Sequence, residues 1–223
     1  MFIYLGDTFK PFCRFRSDTM MLPTHVLAGM ALALPLWAVN PELAPVGFVA
    51  GFLGGMFPDL DLYAGHRKTL HYPVYYAVAA VIAVPLAATV PSTATVALAF
   101  FLLGAACHTA ADVLGAGLEL RPWERNSDRA VYSHYHGAWV RPRRLVRYDG
   151  AVEDLALSAA LAVPLLVVLT GRLWLLVAGT LAVALGYTLL RRPLAALAPR
   201  VVRLLPDPVL PYVPDRYRED GGV

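Results

Sequence analysis

The sequence predicts an all-α, polytopic membrane helix bundle of about six spans, on three observations. Of its 223 residues, 58% are hydrophobic and only 16% are charged, with a mean hydropathy of +0.56, which lies outside the range of ordinary soluble domains. The apolar residues are gathered into runs of Ala, Leu, Val and Gly that approach the ~20 residues needed to cross a bilayer. With six spans, every one of the 19 Lys and Arg residues except Arg172 falls on the same side. That one-sidedness is the positive-inside pattern, and it predicts a multi-pass protein of the cell (inner or plasma) membrane with both termini in the cytoplasm.

Residues 1–21 carry Lys10, Arg14 and Arg16 among scattered aromatics and lack the compact apolar core of a secretory signal. They read as a cytoplasmic leader, and Met20 or Met21 could be the native start. Thr24 is placed to cap the first helix, with His25 in its first turn and the apolar run 26–39 behind it. After the Asn40-Pro41 turn, the run 43–57 is glycine-rich at helical spacing, which suits close helix packing. It is short for a span and could be re-entrant. Residues 72–90 and 93–114 read as the third and fourth spans, and 152–169 and 173–190 as a hairpin of the fifth and sixth. The membrane domain is thus expected over 22–192, with a long cytoplasmic loop at 115–150. The tail, 193–223, contains an amphipathic piece at 194–205 and a proline-rich end.

Chemistry is concentrated in the polar stretch 54–71 and in the fourth span. Asp59, Asp61, His66 and His71 are hard and borderline ligands of the kind that hold Zn²⁺, Mn²⁺ or Fe²⁺, and they are costly beside hydrocarbon unless paired or bound. His108 and Asp112 stand at i and i+4 on one helix face, so both can reach one ion. Counted inward from the outer turns, His25, Asp59 and His108 each lie roughly 22–24 Å along their helices, at one depth near the cytoplasmic edge. The plainer alternatives are a solvated loop between two spans and a buried His/Asp couple in the fourth. His134 and His136, in the loop, could bind a metal but more simply belong to an exposed turn. Cys13 and Cys107 suggest neither a disulfide framework nor a zinc finger. A net charge of +3 is too small to argue for nucleic acid, and the basic run 141–147 suits anionic lipid headgroups. The oligomeric state is left open.

Together, Thr24-His25, Pro58-Asp-Leu-Asp61, His66-Arg67-Lys68-Thr69-Leu70-His71 and the segment from His108 to Asp112 resemble the YdjM-like family of membrane-bound metal-dependent hydrolases. The resemblance covers about residues 22–121. It implies a multi-span protein in which His25, Asp59, Asp61, His66, His71, His108 and Asp112 form the metal and catalytic site. A looser likeness to zinc-dependent phospholipase C proteins adds phosphoester chemistry. Lys68 stands where Gly is expected in many relatives. The functional expectation is a hydrolase facing the cytoplasm, acting on a lipid or lipid-linked phosphoester. One or two divalent ions, Zn²⁺ before Mn²⁺ or Fe²⁺, would be held by His25, Asp59, His71, His108 and Asp112, with His66 a further ligand or acid. Asp61 would serve as general base or as ligand of a second ion, and Arg67 and Lys68 would face the phosphate. The competing readings are a non-catalytic metal-binding or metal-transporting membrane protein and a scaffold recruiting partners through its Arg-rich loop.

Overall fold

The computed structural model describes residues 20–62, 65–210 and 213, so the expectations for Cys13, for most of the leader and for the end of the tail lie outside the described residues. Seven α-helices follow one another as α1 (Leu22–Ala31), α2 (Leu34–Val39), α3 (Ala44–Met56), α4 (Pro73–Thr89), α5 (Thr93–Leu114), α6 (Val152–Val168) and α7 (Gly171–Val202). Between α5 and α6 lies a two-stranded antiparallel hairpin, β1 (Val131–Ser133) and β2 (Ala138–Val140), with Val131 opposite Val140. The fold is therefore mostly helical rather than all-α. Three stretches, 22–39, α5 and α7, are long and apolar enough to cross a membrane, and α4 is apolar but shorter. Large apolar side chains such as Val81, Ile82, Val167 and Leu189 face outward from α4, α6 and α7, as they would against lipid.

Three helix boundaries differ from expectation for local reasons. Thr24 does not cap α1, which begins at Leu22 with a proline in its first turn, where a missing N–H costs nothing. The buried Met21 N–H is instead satisfied from another helix, by Asp154 Oδ2 at 2.7 Å. The run 26–39 breaks at Leu32 and Ala33, because Pro35 in the first turn of α2 cannot continue the α1 ladder. At the other end, α7 continues through Arg191 and Arg192 for 32 residues, so the amphipathic piece and the sixth span are one helix. Pro193 removes one ladder bond there. Buried Arg191 ties that turn down, donating from Nε to Asp149 Oδ2 (2.9 Å) and from Nη2 to the Leu120 carbonyl (3.0 Å).

α1, α3 and α5 meet along a seam of glycines. A Cβ added to Gly29 or Gly51 would collide with the other's carbonyl, and one on Gly104 would lie 2.6 Å from the Gly51 carbonyl oxygen. Backbones at this separation tolerate no side chain, the small-residue device of membrane helix packing. Beside the seam, Leu27, Met30, Phe48, Leu165 and Val177 form a buried apolar cluster that joins α1 and α3 to α6 and α7.

Candidate metal centre

The seam brings His25 on α1 against His108 on α5, their rings stacked with centroids 3.9 Å apart. His108 Nδ1 lies 2.6 Å from the Gly55 carbonyl of α3, and since a carbonyl only accepts, Nδ1 carries the proton. Nε2 faces Asp59 Oδ1 and Asp112 Oδ2, each at 3.3 Å. His71, just before α4, is held in the same way. Its Nδ1 donates to Asp61 Oδ2 at 3.0 Å, and its Nε2 lies 3.1 Å from Asp112 Oδ2 and 3.7 Å from Asp59 Oδ1.

Asp59, His71, His108 and Asp112 therefore form a group able to hold a metal ion, each offering one atom within 4.8 Å of the others. The carboxylate-to-imidazole separations are compatible with a small ion. Bonds of ~2.0–2.2 Å at tetrahedral angles put ligand atoms ~3.3–3.6 Å apart. The four carboxylate-to-imidazole separations run from 3.1 to 3.7 Å around that spacing. His71, His108 and Asp112 are buried, and Asp59 keeps 24% of its side chain exposed. Burial alone would raise the carboxyl pKa of Asp59, but the charge and hydrogen bond of His108 outweigh it and hold the group well below the usual carboxylate range.

The remaining expected residues separate into distinct positions. His25 adjoins the four, with Nε2 at 3.3 Å from Asp112 Oδ1 and neither ring nitrogen hydrogen-bonded. His66 lies at the edge, its Nδ1 3.1 Å from Asp61 Oδ1 and 3.9 Å from Asp59 Oδ1. Asp61, 1% exposed, has both carboxylate oxygens engaged: besides the two histidines it accepts from the Leu70 N–H (3.0 Å) and the Arg67 N–H (3.3 Å). Burial pushes its pKa up, and the hydrogen bonds of His66 and His71 bring it down past the ordinary value. Burial works to lower His71, and its bonds to Asp112 and Asp61 raise it instead.

Arg67 does not reach outward to a phosphate. Its backbone adopts the left-handed region (φ 62°), uncommon outside glycine, and this turns the guanidinium inward to Asp112 Oδ1 (3.0 Å) and to the carbonyls of Ala116 (2.9 Å) and Ala130 (3.3 Å). Lys68 points away from the group, its Nζ lying 4.7 Å from the centre of the Tyr132 ring. His134 bonds the Lys68 carbonyl and His136 bonds Ser133, so neither histidine of the loop joins the centre.

Sequence reasoning missed a second polar cluster, since α6 was expected to carry no chemistry. Asp154, fully buried, accepts from the N–H groups of Met21 and Gly150 and from the Thr24 hydroxyl, which also bonds Ser158. This cluster ties down the start of α1 through Met21 and Thr24, the latter one residue before His25. A signal was present in the paired spacing of Asp154 and Ser158 on one helical face, hidden because Glu153-Asp154 also suits an ordinary helix start. No family model, curated protein or solved structure matches the chain.

Proposed function

We propose that this chain is a membrane-embedded, metal-dependent hydrolase of a phosphoester, of the kind that the YdjM-like resemblance implies. Asp59, His71, His108 and Asp112 hold the ion. The observation that carries the reading is the pair of imidazole Nε2 atoms, each oriented through its other nitrogen, converging on two carboxylates at the separations of a small coordination sphere. A bound divalent ion, Zn²⁺ by ligand type, supplies a water of lowered pKa and polarises the ester.

The chain's own residues do the rest. Asp61 orients His71, and the Gly55 carbonyl orients His108, the outer-shell support that ligating histidines generally have. Arg67 neutralises the Oδ1 side of Asp112, which favours one ion over two. His66, partly exposed beside Asp59, is the titratable group placed to give a proton to the leaving oxygen. The distribution of Lys and Arg puts the centre on the cytoplasmic side.

Purified protein loaded with Zn²⁺, Mn²⁺ or Fe²⁺ is expected to bind about one ion per chain and to hydrolyse an aryl phosphodiester in a chelator-reversible way, both lost in His108→Ala. Metal content at background in wild type overturns the centre. Stoichiometric metal with no turnover of phosphodiesters or phosphomonoesters favours the non-catalytic metal-binding reading, since four protein ligands can also close a structural site.

A further inference from the structure

A cleft of about 860 Å³ opens on the centre, reaching Asp59, His66 and Arg67 at one end. One wall is α7, which presents Val183, Tyr187, Arg191, Leu194, Ala198 and Val201 at the three- and four-residue spacing of a single helical face. α7 is ~48 Å long at ~1.5 Å per residue, against a hydrocarbon core of ~30 Å, so its last turns outrun the membrane. Arg191 and Arg192 mark a natural boundary. Beyond them the helix should turn polar, yet Leu194, Leu197 and Val201 remain 45–50% exposed on or beside the cleft wall.

We propose that this cleft is the acyl-chain seat of a membrane phospholipid, whose hydrocarbon lies along residues 194–202 while its phosphoester reaches Asp59 and His66. The headgroup position rests on the hydrolase reading above, and the chain seat rests on the cleft alone. Charge complementarity selects a lipid over an apolar helix. The polar end is a centre built to hold a cation, which suits an anionic head, whereas the arginine midway along the wall is already spent on Asp149. Glu119, which also lines the cleft, has both carboxylate oxygens buried without a hydrogen-bond partner. A headgroup that brings N–H or O–H donors, glycerol or ethanolamine rather than choline, satisfies them.

The test uses full-length protein in vesicles containing a phosphatidylglycerol with a photoreactive group near the end of one acyl chain. Labelling is expected on 194–202, displaced by unlabelled phosphatidylglycerol or phosphatidylethanolamine and poorly by phosphatidylcholine. Ala198→Trp, which fills the cleft, is expected to cut that labelling about tenfold while metal content holds. Leu194→Asp, a smaller change in bulk, is expected to act in the same direction. Labelling unaffected by either variant and not displaced by excess lipid places the chain in bulk bilayer and overturns the seat. Cross-links joining two copies through α7 also overturn it, in favour of a protein occupant. Displaceable labelling without any hydrolysis keeps the seat and removes the hydrolase reading; hydrolysis of a soluble phosphodiester without displaceable labelling does the reverse.

Discussion

Replacing Asp61 with Asn tests whether this carboxylate positions a ligand or transfers a proton. Both oxygens are engaged, Oδ2 by His71 Nδ1 and the Leu70 N–H, Oδ1 by His66 Nδ1 and the Arg67 N–H. The amide keeps one acceptor oxygen and turns an NH₂ group toward the other pair of donors. If it is His71 that loses its acceptor, its proton is no longer held on Nδ1 and its Nε2 is no longer fixed beside Asp112. Losing such outer-shell support costs ~10–100-fold in metal affinity, or about 1.4–2.8 kcal/mol at ~1.4 kcal/mol per tenfold. The donors stranded on the Asn side add a folding cost of ~1–3 kcal/mol in the metal-free protein. Competition against a fluorescent chelator in detergent reads the first quantity, and thermal unfolding without metal reads the second. Wild-type metal affinity together with abolished turnover would refute the positioning role and restore Asp61 as the base.

Further expectations follow from the same geometry. Arg67→Lys keeps the charge but cannot span Asp112 and two carbonyls, so it should destabilise by ~1.5–3 kcal/mol, read as a fall in denaturation temperature. Lys68→Ala, which removes only the contact with Tyr132, should leave metal affinity within about twofold by the same chelator competition. Thr24→Val leaves Asp154 and Ser158 short of a hydroxyl and should cost ~1–3 kcal/mol, with a measurable loss of metal affinity because His25 and the start of α1 shift. Saturating the centre at about a thousand times its dissociation constant should stabilise the protein by ~4 kcal/mol, and chelation should reverse the accompanying rise in unfolding temperature.

The apolar runs made the helices legible, because each needed only length and composition. The four centre residues were legible too, His108 and Asp112 by their i and i+4 spacing, Asp59 by sharing the depth of His108, and His71 by its place in the polar stretch 54–71, none of which depends on detailed rotamers. What sequence could not carry was direction. Arg67 and Lys68 are neighbours in one basic pair, but a left-handed backbone at Arg67 sends one side chain inward and leaves the other on Tyr132. Asp59 and Asp61 likewise sit two apart, and an extended loop would have given them one face. They lie instead in a 3-10 turn, Phe57–Asp61, which separates the carboxylates into one that faces the centre and one that faces its histidines. The Asp154 cluster was illegible for a different reason: it depends on a contact across about 130 residues, which no local pattern announces.

The glycine seam has a consequence for ionic radius. His25 and His108 stand on helices whose backbones already touch through Gly29, Gly51 and Gly104, and the Gly55 carbonyl that anchors His108 belongs to the third helix of that contact. Of the four residues that could hold an ion, His108 and Asp112 stand on α5 inside this contact, so half of the coordination sphere is fixed to an abutting backbone and could swell less than one carried by loops alone. Stiffness of this kind would discriminate by size, against Ca²⁺, which wants oxygen ligands at ~2.3–2.6 Å, and for ions satisfied at ~2.0–2.2 Å. A single methyl group at Gly104, one helical turn before His108, would wedge the helices apart and retune the centre toward larger ions.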